Sequence, residues 1–254
     1  MLFRSGRLAD AAWPARQVTL YVSDVPAHLP TMVASGPTMP DDTTLLDTRA
    51  LLERADLRAR LAPFAEAHFH ETPKPGDRCF ERSGWQRLLD NSTGVEALRE
   101  LGIATGLITV TDLHCDDWNF RNAANHLLTR LEQLRAEHPG RPVAVISGGE
   151  LSCPVTGNGV GGRNQAFVLD CAKKISGQRI VALSAGTDGI DGNSQATGAV
   201  ADGETLGRAA ALGMEAEDYQ QRSDSFTFFN NLGDTIVTGP TGTNVRDLRL
   251  LLAY

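Results

Sequence analysis

The sequence predicts an α/β protein built of two layered domains, with sheets covered by helices. Short apolar runs alternate along the chain with longer stretches that carry leucine, alanine and polar residues at helical spacing. At 254 residues the chain is long enough for one large domain or two ordinary ones. His138-Pro139-Gly140 breaks the chain between a long helical stretch and a strongly apolar strand, which divides it into residues 1–140 and 141–254.

The elements follow in order. Val18 to Val22 is an apolar run that reads as the first strand and ends in Ser23-Asp24-Val25-Pro26. Asp24 there either faces a ligand at the strand's C-terminal edge or merely turns the chain. Asp42 or Thr43 is a candidate N-cap for a helix from Leu45 to about Ala55. Pro73 and Pro75 hold the ETPKPGD segment extended. Gln86 to Leu89 reads as a short strand, Gly94 to Leu101 as a helix and Ala104 to Val110 as a strand. The long helix runs from Asp116 to Ala136. Beyond the break come a strand from Pro142 to Ser147, a helix from Asn164 to Ile175 and a buried strand from Arg179 to Ser184. Gly203 to Leu212 and Ser223 to Asn231 are helical, Thr235 to Thr238 is strand-like, and Val245 to Leu252 forms the last strand.

Composition narrows the function classes. The net charge is −7, from 31 acidic and 24 basic residues, with no basic stripe for a nucleic acid. The basic residues are nearly all arginine; Lys74, Lys173 and Lys174 are the lysines. Cys79, Cys115, Cys153 and Cys171 are far apart and form no C-x-x-C pair, which fits reduced thiols rather than a zinc site or disulfide framework. No apolar run is long enough to span a membrane, and MLFRSGRLADAAWPARQ has no apolar signal core, so a cytoplasmic setting is expected. The oligomeric state is left open, a homo-oligomer included.

Ten of the 25 glycines lie between Gly148 and Gly192, interleaved with Glu150, Arg163, Asn164, Gln165, Asp188 and Asp191. Glycine is costly inside regular structure and common where backbone closely approaches a ligand, so this segment is the candidate site for an anion and a metal. Gly161 and Gly162 are expected to offer backbone N–H groups to an anion at the start of the helix near Asn164. Arg163 at that junction offers a bidentate fork for phosphate or carboxylate, unless it pairs with a surface acid. Asp188 and Asp191 follow a buried strand, where carboxylates suit magnesium with phosphate oxygens. Asp188 is alternatively a base for an attacking hydroxyl, and both aspartates are alternatively turn formers. Glu150, at another strand end, is a third metal candidate. The Thr238–Asn244 loop, rich in hydroxyls and glycine, binds a polar ligand or simply makes a tight connection.

Gly157-x-Gly159-x-x-Gly162 matches the dinucleotide fingerprint, but its strand ends ten residues early and Pro154 and Thr156 intervene. The first acid after the next strand, Asp188, lies in a glycine turn of its own. His28, His68, His70, His114, His126 and His138 stand in no nucleophile motif and read as structural or solvated. Ser147 lacks the glycine two residues earlier that a nucleophile elbow needs.

The strings ISGGE (146–150), GVGGRNQAF (159–167), AGTDGIDG (185–192) and VTGPTGTNVRDL (237–248), preceded by GRLADAAWPAR, SDVP, ASGPTMPD and ETPKPGD, resemble the glycerate 2-kinase family. Older labels for that family read hydroxypyruvate reductase. The resemblance runs nearly the whole chain. It implies a partial Rossmann-like first domain over residues 1–140 and a C-terminal MOFRL domain over 141–254, with a site in the cleft between two α/β domains. It also implies transfer of phosphate from ATP to the 2-hydroxyl of D-glycerate, with magnesium. On that resemblance Arg163 and Asp188 are the catalytic candidates. Gly161, Gly162, Asn164 and Asn244 serve substrate or phosphate, and Asp188, Asp191 and Glu150 serve the metal. The family's glycine- and serine-rich nucleotide loop and its lysine have no counterpart before Gly36. Ala166 and Gln195 also depart from the family pattern, each standing where an acid is usual. Two other readings follow: a hydroxypyruvate reductase using NAD(P)H, and a non-catalytic remnant that binds a ligand or partner.

Overall fold

The computed structural model describes residues 3–61 and 69–254, and by compactness the chain forms two units, residues 1–88 and 89–254. The first unit contains α1 (Arg7–Ala12), β1 (Gln17–Val22), α2 (Leu45–Arg54) and β2 (Ser83–Leu89), with β1 and β2 forming a two-stranded sheet. The N-cap of α2 is Thr44 rather than Asp42 or Thr43. Its hydroxyl accepts the Asp47 N–H while Asp47 reaches back to the Thr44 N–H, a reciprocal capping box. ETPKPGD has no regular structure and closes in a turn whose Lys74 N–H donates to Asp77 at 2.7 Å. His70 lies in that irregular segment, and His68 falls outside the described residues.

The second unit carries a six-stranded mixed sheet among the described residues. In chain order its elements are α3 (Asn91–Ala104), β3 (Ile108–Thr111), α4 (Phe120–Glu137), β4 (Val143–Gly148), α5 (Arg163–Ile175), β5 (Ile180–Gly186) and β6 (Gly198–Asp202). There follow α6 (Thr205–Ala211), α7 (Ala216–Gln221), α8 (Ser225–Leu232), β7 (Thr235–Ile236) and β8 (Asp247–Ala253). The strand order is β3-β4-β8-β5-β6-β7. β3 and β4 are parallel, whereas β8 inserts antiparallel between β4 and β5, setting Ser147, Arg249 and Ser184 side by side. Successive strand residues face opposite sides, so β8 presents Leu248 to Gly94 of α3 and Arg249 to Phe167 of α5. The α4–α5 face is the main core, where Phe167, Leu127, Leu131 and Leu251 are fully buried.

Gly140 lies inside this second unit. The apolar stripe of α4, Ala123, Ala124, Leu127, Leu131 and Leu134, buries against the sheet that contains β4, and Gly140 only turns the chain at φ 74°. Two element starts move for local reasons. β3 begins at Ile108 because α3 runs on to Ala104 and Gly106 turns the chain at φ 87°. α4 starts at Phe120, since Asp117 has a left-handed φ of 62° and Asn119 caps the helix by accepting the Arg121 N–H. α1, β6 and α7 carry no clear sequence signal, since each is only five or six residues long.

Candidate functional site

A cavity of about 580 Å³ opens in the second unit, within the range of small-molecule sites. Its walls are residues 119–121, Leu151 and residues 153–156, the glycine segment up to Arg163, Asp188 with residues 190–193, and Tyr219, Gln220 and residues 223–225. The glycine-rich segment therefore does line a cavity, as do Gly161, Gly162, Arg163, Asp188 and Asp191 among the expected site residues. Glu150, Asn164 and Asn244 do not line it.

The glycines are there for close approach of protein to protein. A Cβ at Gly157 would meet the Arg222 backbone at 2.5 Å, one at Gly159 the Asp224 Cβ at 2.4 Å, and one at Gly161 the Ser225 Oγ at 2.3 Å. At Gly162 the clash is with Asp191 itself, at 2.3 Å. The G-x-G-x-x-G match is thus a segment threaded between the α7–α8 turn and Asp191. No strand feeds it, as β4 ends at Gly148.

The anion at the start of α5 is the protein's own. Asp191, 2 % exposed, accepts the backbone N–H groups of Asn164 (3.1 Å) and Gln165 (2.9 Å) and the side-chain amides of both. Those four bonds occupy both oxygens, and the Gly161 N–H is likewise spent, on Asn193 Oδ1 at 2.8 Å. The Gly161, Asn164 and Gln165 N–H groups thus already have acceptors in Asn193 and Asp191, because a buried helix N-terminus must find them. Burial pushes the Asp191 carboxyl above its ordinary value, against the pull of the Gln165 and Asn164 hydrogen bonds. Asn164 is an inner member of the same network, with Oδ1 accepting the Ser184 hydroxyl at 2.5 Å.

Arg163 is a staple. Its Nε and Nη2 donate to the two oxygens of buried Asp247 at 2.6 and 3.1 Å, and Nη2 also reaches Glu150 at 2.9 Å. It ties the start of α5 to the start of β8 and the end of β4. Burial opposes its charge, but Asp247 and Glu150 outweigh that and hold the guanidinium above its ordinary value. Burial likewise raises Glu150, with Arg163 pulling the other way. Asn244 accepts the Arg246 N–H at 2.8 Å and shapes its own loop.

Asp188 differs from these. Its Oδ1 accepts the Ile190 N–H at 3.1 Å, while Oδ2 has no partner among the described residues. Gly189 follows it with φ 92°, and a Cβ there would sit 2.0 Å from the Gly239 carbonyl oxygen, so this turn admits no other residue. Of the three acidic metal candidates, Asp188 alone combines a spare oxygen with a place on the cavity wall.

Several residues that support the site went unseen in the sequence. Arg246, 5 % exposed, forks onto Asp116 at 2.6 and 2.7 Å, and Asp116 also accepts the Glu150 N–H. Asp247 and Arg246 sit inside the VTGPTGTNVRDL string, but nothing in that string says which acid meets which arginine. Arg121 lies along the cavity with its guanidinium 5.1 Å from the Phe120 ring centre, and no carboxylate pairs with it among the described residues. Asp112 accepts from both His114 and His126, a convergence that the spacing of the three does not announce.

The MOFRL family model matches residues 143–247, the stretch that holds most of these groups, and a domain of unknown function (DUF4147) matches residues 2–70. The D-glycerate 2-kinase of Thermotoga maritima is 34% identical over 250 residues, covering 96% of this chain and 58% of that protein. The glycerate kinase of Macaca fascicularis is 30% identical, covering 98% of this chain and 75% of that one. The chain belongs to the glycerate 2-kinase family. The crystal structure of the Thermotoga maritima glycerate kinase superposes with a TM-score of 0.87 at 31% identity, covering 99% of this chain and 60% of that one. The chain thus spans about three-fifths of the length of these Thermotoga maritima relatives. The strings quoted from the sequence lie mainly within the MOFRL match and supply the cavity's glycine wall and the Asp188 turn.

Proposed function

We propose that this chain is a glycerate 2-kinase, or the part of one that carries this cavity, and that it transfers the terminal phosphate of ATP to the 2-hydroxyl of D-glycerate. Family membership supports the reaction, and the spare Oδ2 of Asp188 beside the cavity is the observation that carries the site assignment. Magnesium suits that oxygen, since the ion binds through one or two carboxylates plus water and phosphate oxygens. Asp191 and Glu150 do not fit that role, being committed to the α5 N-terminus and to Arg163. When bound, magnesium would neutralise charge on the phosphate oxygens. Arg121, unpaired among the described carboxylates, is the cation we assign to the negative substrate. Arg163 acts through position, by holding α5 and the Asp247 strand in register. Phosphoryl transfer needs mostly positioning and charge stabilisation, which these groups supply. A cytoplasmic setting fits the four free thiols.

The test is a coupled ADP-release assay with D-glycerate, ATP and magnesium, comparing this chain with Asp188→Ala and Arg121→Met. Loss of roughly a hundredfold or more in the Asp188 variant, with an unchanged melting temperature, supports the assignment. Full turnover in Asp188→Ala overturns the role of Asp188. Absence of glycerate-dependent turnover in the wild type overturns the kinase as an activity of this chain alone.

A further inference from the structure

Asp112, His114 and His126 converge in the second unit where β3 ends, and none of the three lines the cavity. Asp112 is the first residue after β3, and its N–H donates to the Ile146 carbonyl at 2.9 Å, which fixes it at the edge of β4. Its side chain is 8 % exposed. Oδ1 accepts the His114 N–H at 3.1 Å and faces His114 Nδ1 at 3.0 Å, so a two-residue turn brings that imidazole back onto the carboxylate. His126 arrives from the second turn of α4, with Nε2 2.8 Å from Oδ2. Trp118 packs edge-on against His126, ring centres 5.3 Å apart, and limits where that imidazole can go.

One ligand atom from each of the three residues lies within 4.8 Å of the other two. Two imidazoles with one carboxylate are a borderline-soft donor set, suited to zinc and related divalent transition ions rather than magnesium. Bonds of about 2.0–2.1 Å around a tetrahedral ion place neighbouring ligand atoms roughly 3.3 Å apart. The observed 2.8 and 3.0 Å separations, each to a different Asp112 oxygen, fall a few tenths of an ångström short of that spacing, and the two ring nitrogens lie within 4.8 Å of each other. Asp112 has no lysine or arginine partner among the described residues. Burial works against its charge and the two histidines sustain it, holding the carboxyl below its ordinary value.

We propose that Asp112, His114 and His126 form a site for a divalent transition cation of the zinc class, with a fourth position open to solvent. His114 binds through Nδ1 and His126 through Nε2, each neutral ring keeping its proton on the other nitrogen. The ion clamps the Asp112–Trp118 loop onto α4. Because residues 119–121 at the start of that helix line the cavity, the clamp stiffens the cavity's rim.

The experiment titrates the full chain with Zn²⁺, and separately with Co²⁺, after chelator treatment, and reads binding rather than turnover. The expected result is one tight equivalent of zinc, a visible cobalt spectrum of the intense four-coordinate type, and quenching of Trp118, the only tryptophan beyond residue 88. His114→Ala and His126→Ala should each weaken zinc binding at least about tenfold and abolish the cobalt band, since even outer-shell changes cost 10–100-fold. His114 is 81 % exposed in its side chain, so His114→Ala tests the site without risk to the fold if His126→Ala proves unstable. Wild type that binds zinc no tighter than about 1 mM overturns the proposal. So does wild-type binding that both histidine variants retain, which would put the ion elsewhere.

Discussion

Replacing Asp191 distinguishes a helix cap from a metal ligand, two roles that a lone Asp-Gly pair in sequence leaves equally open. In Asp191→Ala the Asn164 and Gln165 N–H groups, on residues 1 % and 0 % exposed, lose their acceptor, as does the Asn164 side-chain amide, while Gln165 Nε2 keeps Ser194 Oγ at 2.8 Å. Loss of an N-cap costs about 1 kcal/mol, and each buried donor left unpaired costs about 1–3 kcal/mol. Relief from burying a carboxylate offsets part of this, which leaves a net loss of about 3–5 kcal/mol. For a unit of this size that lowers Tm by about 6–20 °C, read by circular dichroism at 222 nm and checked by urea unfolding. Magnesium should change the deficit little. The pH dependence has a definite sign. The folded Asp191 carboxyl ionises above its ordinary 3.8, so its contribution is fully present below 3.8 and is lost as pH rises through the folded value. The wild-type margin over Asp191→Asn should therefore narrow as pH rises through that window. A variant within about 1 kcal/mol of wild type that has lost magnesium-dependent stabilisation would refute the cap and make Asp191 a ligand.

The glycine wall gives a paired prediction. Gly162→Ala should cost about 1–3 kcal/mol, at the upper end because its Cβ meets Asp191 backbone at 2.5 Å. Gly207→Ala in α6, with nothing within 4 Å, should stabilise by about 0.5–1 kcal/mol. Equal melting temperatures for the two would remove the steric account. Asp116→Ala should cost about 2–3 kcal/mol by leaving the Arg246 guanidinium buried and unpaired, somewhat less than a fully buried pair because Asp116 is 31 % exposed. Adding Arg246→Met should recover at least half of that loss in a double-mutant cycle, and no recovery would mean that Asp116 acts mainly through the Glu150 N–H.

The sequence by itself determined the α/β class, most of the elements and the glycine-rich segment that lines the cavity. Those signals are local: apolar periodicity marks β4 and α4, and glycines accumulate wherever backbones crowd, whatever the reason. Its matching strings likewise determined the family. Tertiary structure decided what each charged residue does. Arg163 and Asp247 are 84 positions apart and Asp116 and Arg246 are 130 apart, so no window along the chain pairs them. The same holds for β8, whose insertion between β4 and β5 brings the C-terminus into the middle of the sheet and delivers Asp247 to Arg163. An arginine in a glycine-rich turn looks free to grip phosphate until the acid that occupies it arrives from another strand. An aspartate beside it looks like a metal ligand until its oxygens are counted against the helix they cap. Asp188 keeps its candidacy because the fold leaves one of its oxygens unspent. Partner choice among charges depends on distance through space and on burial, and neither is written in the order of the residues.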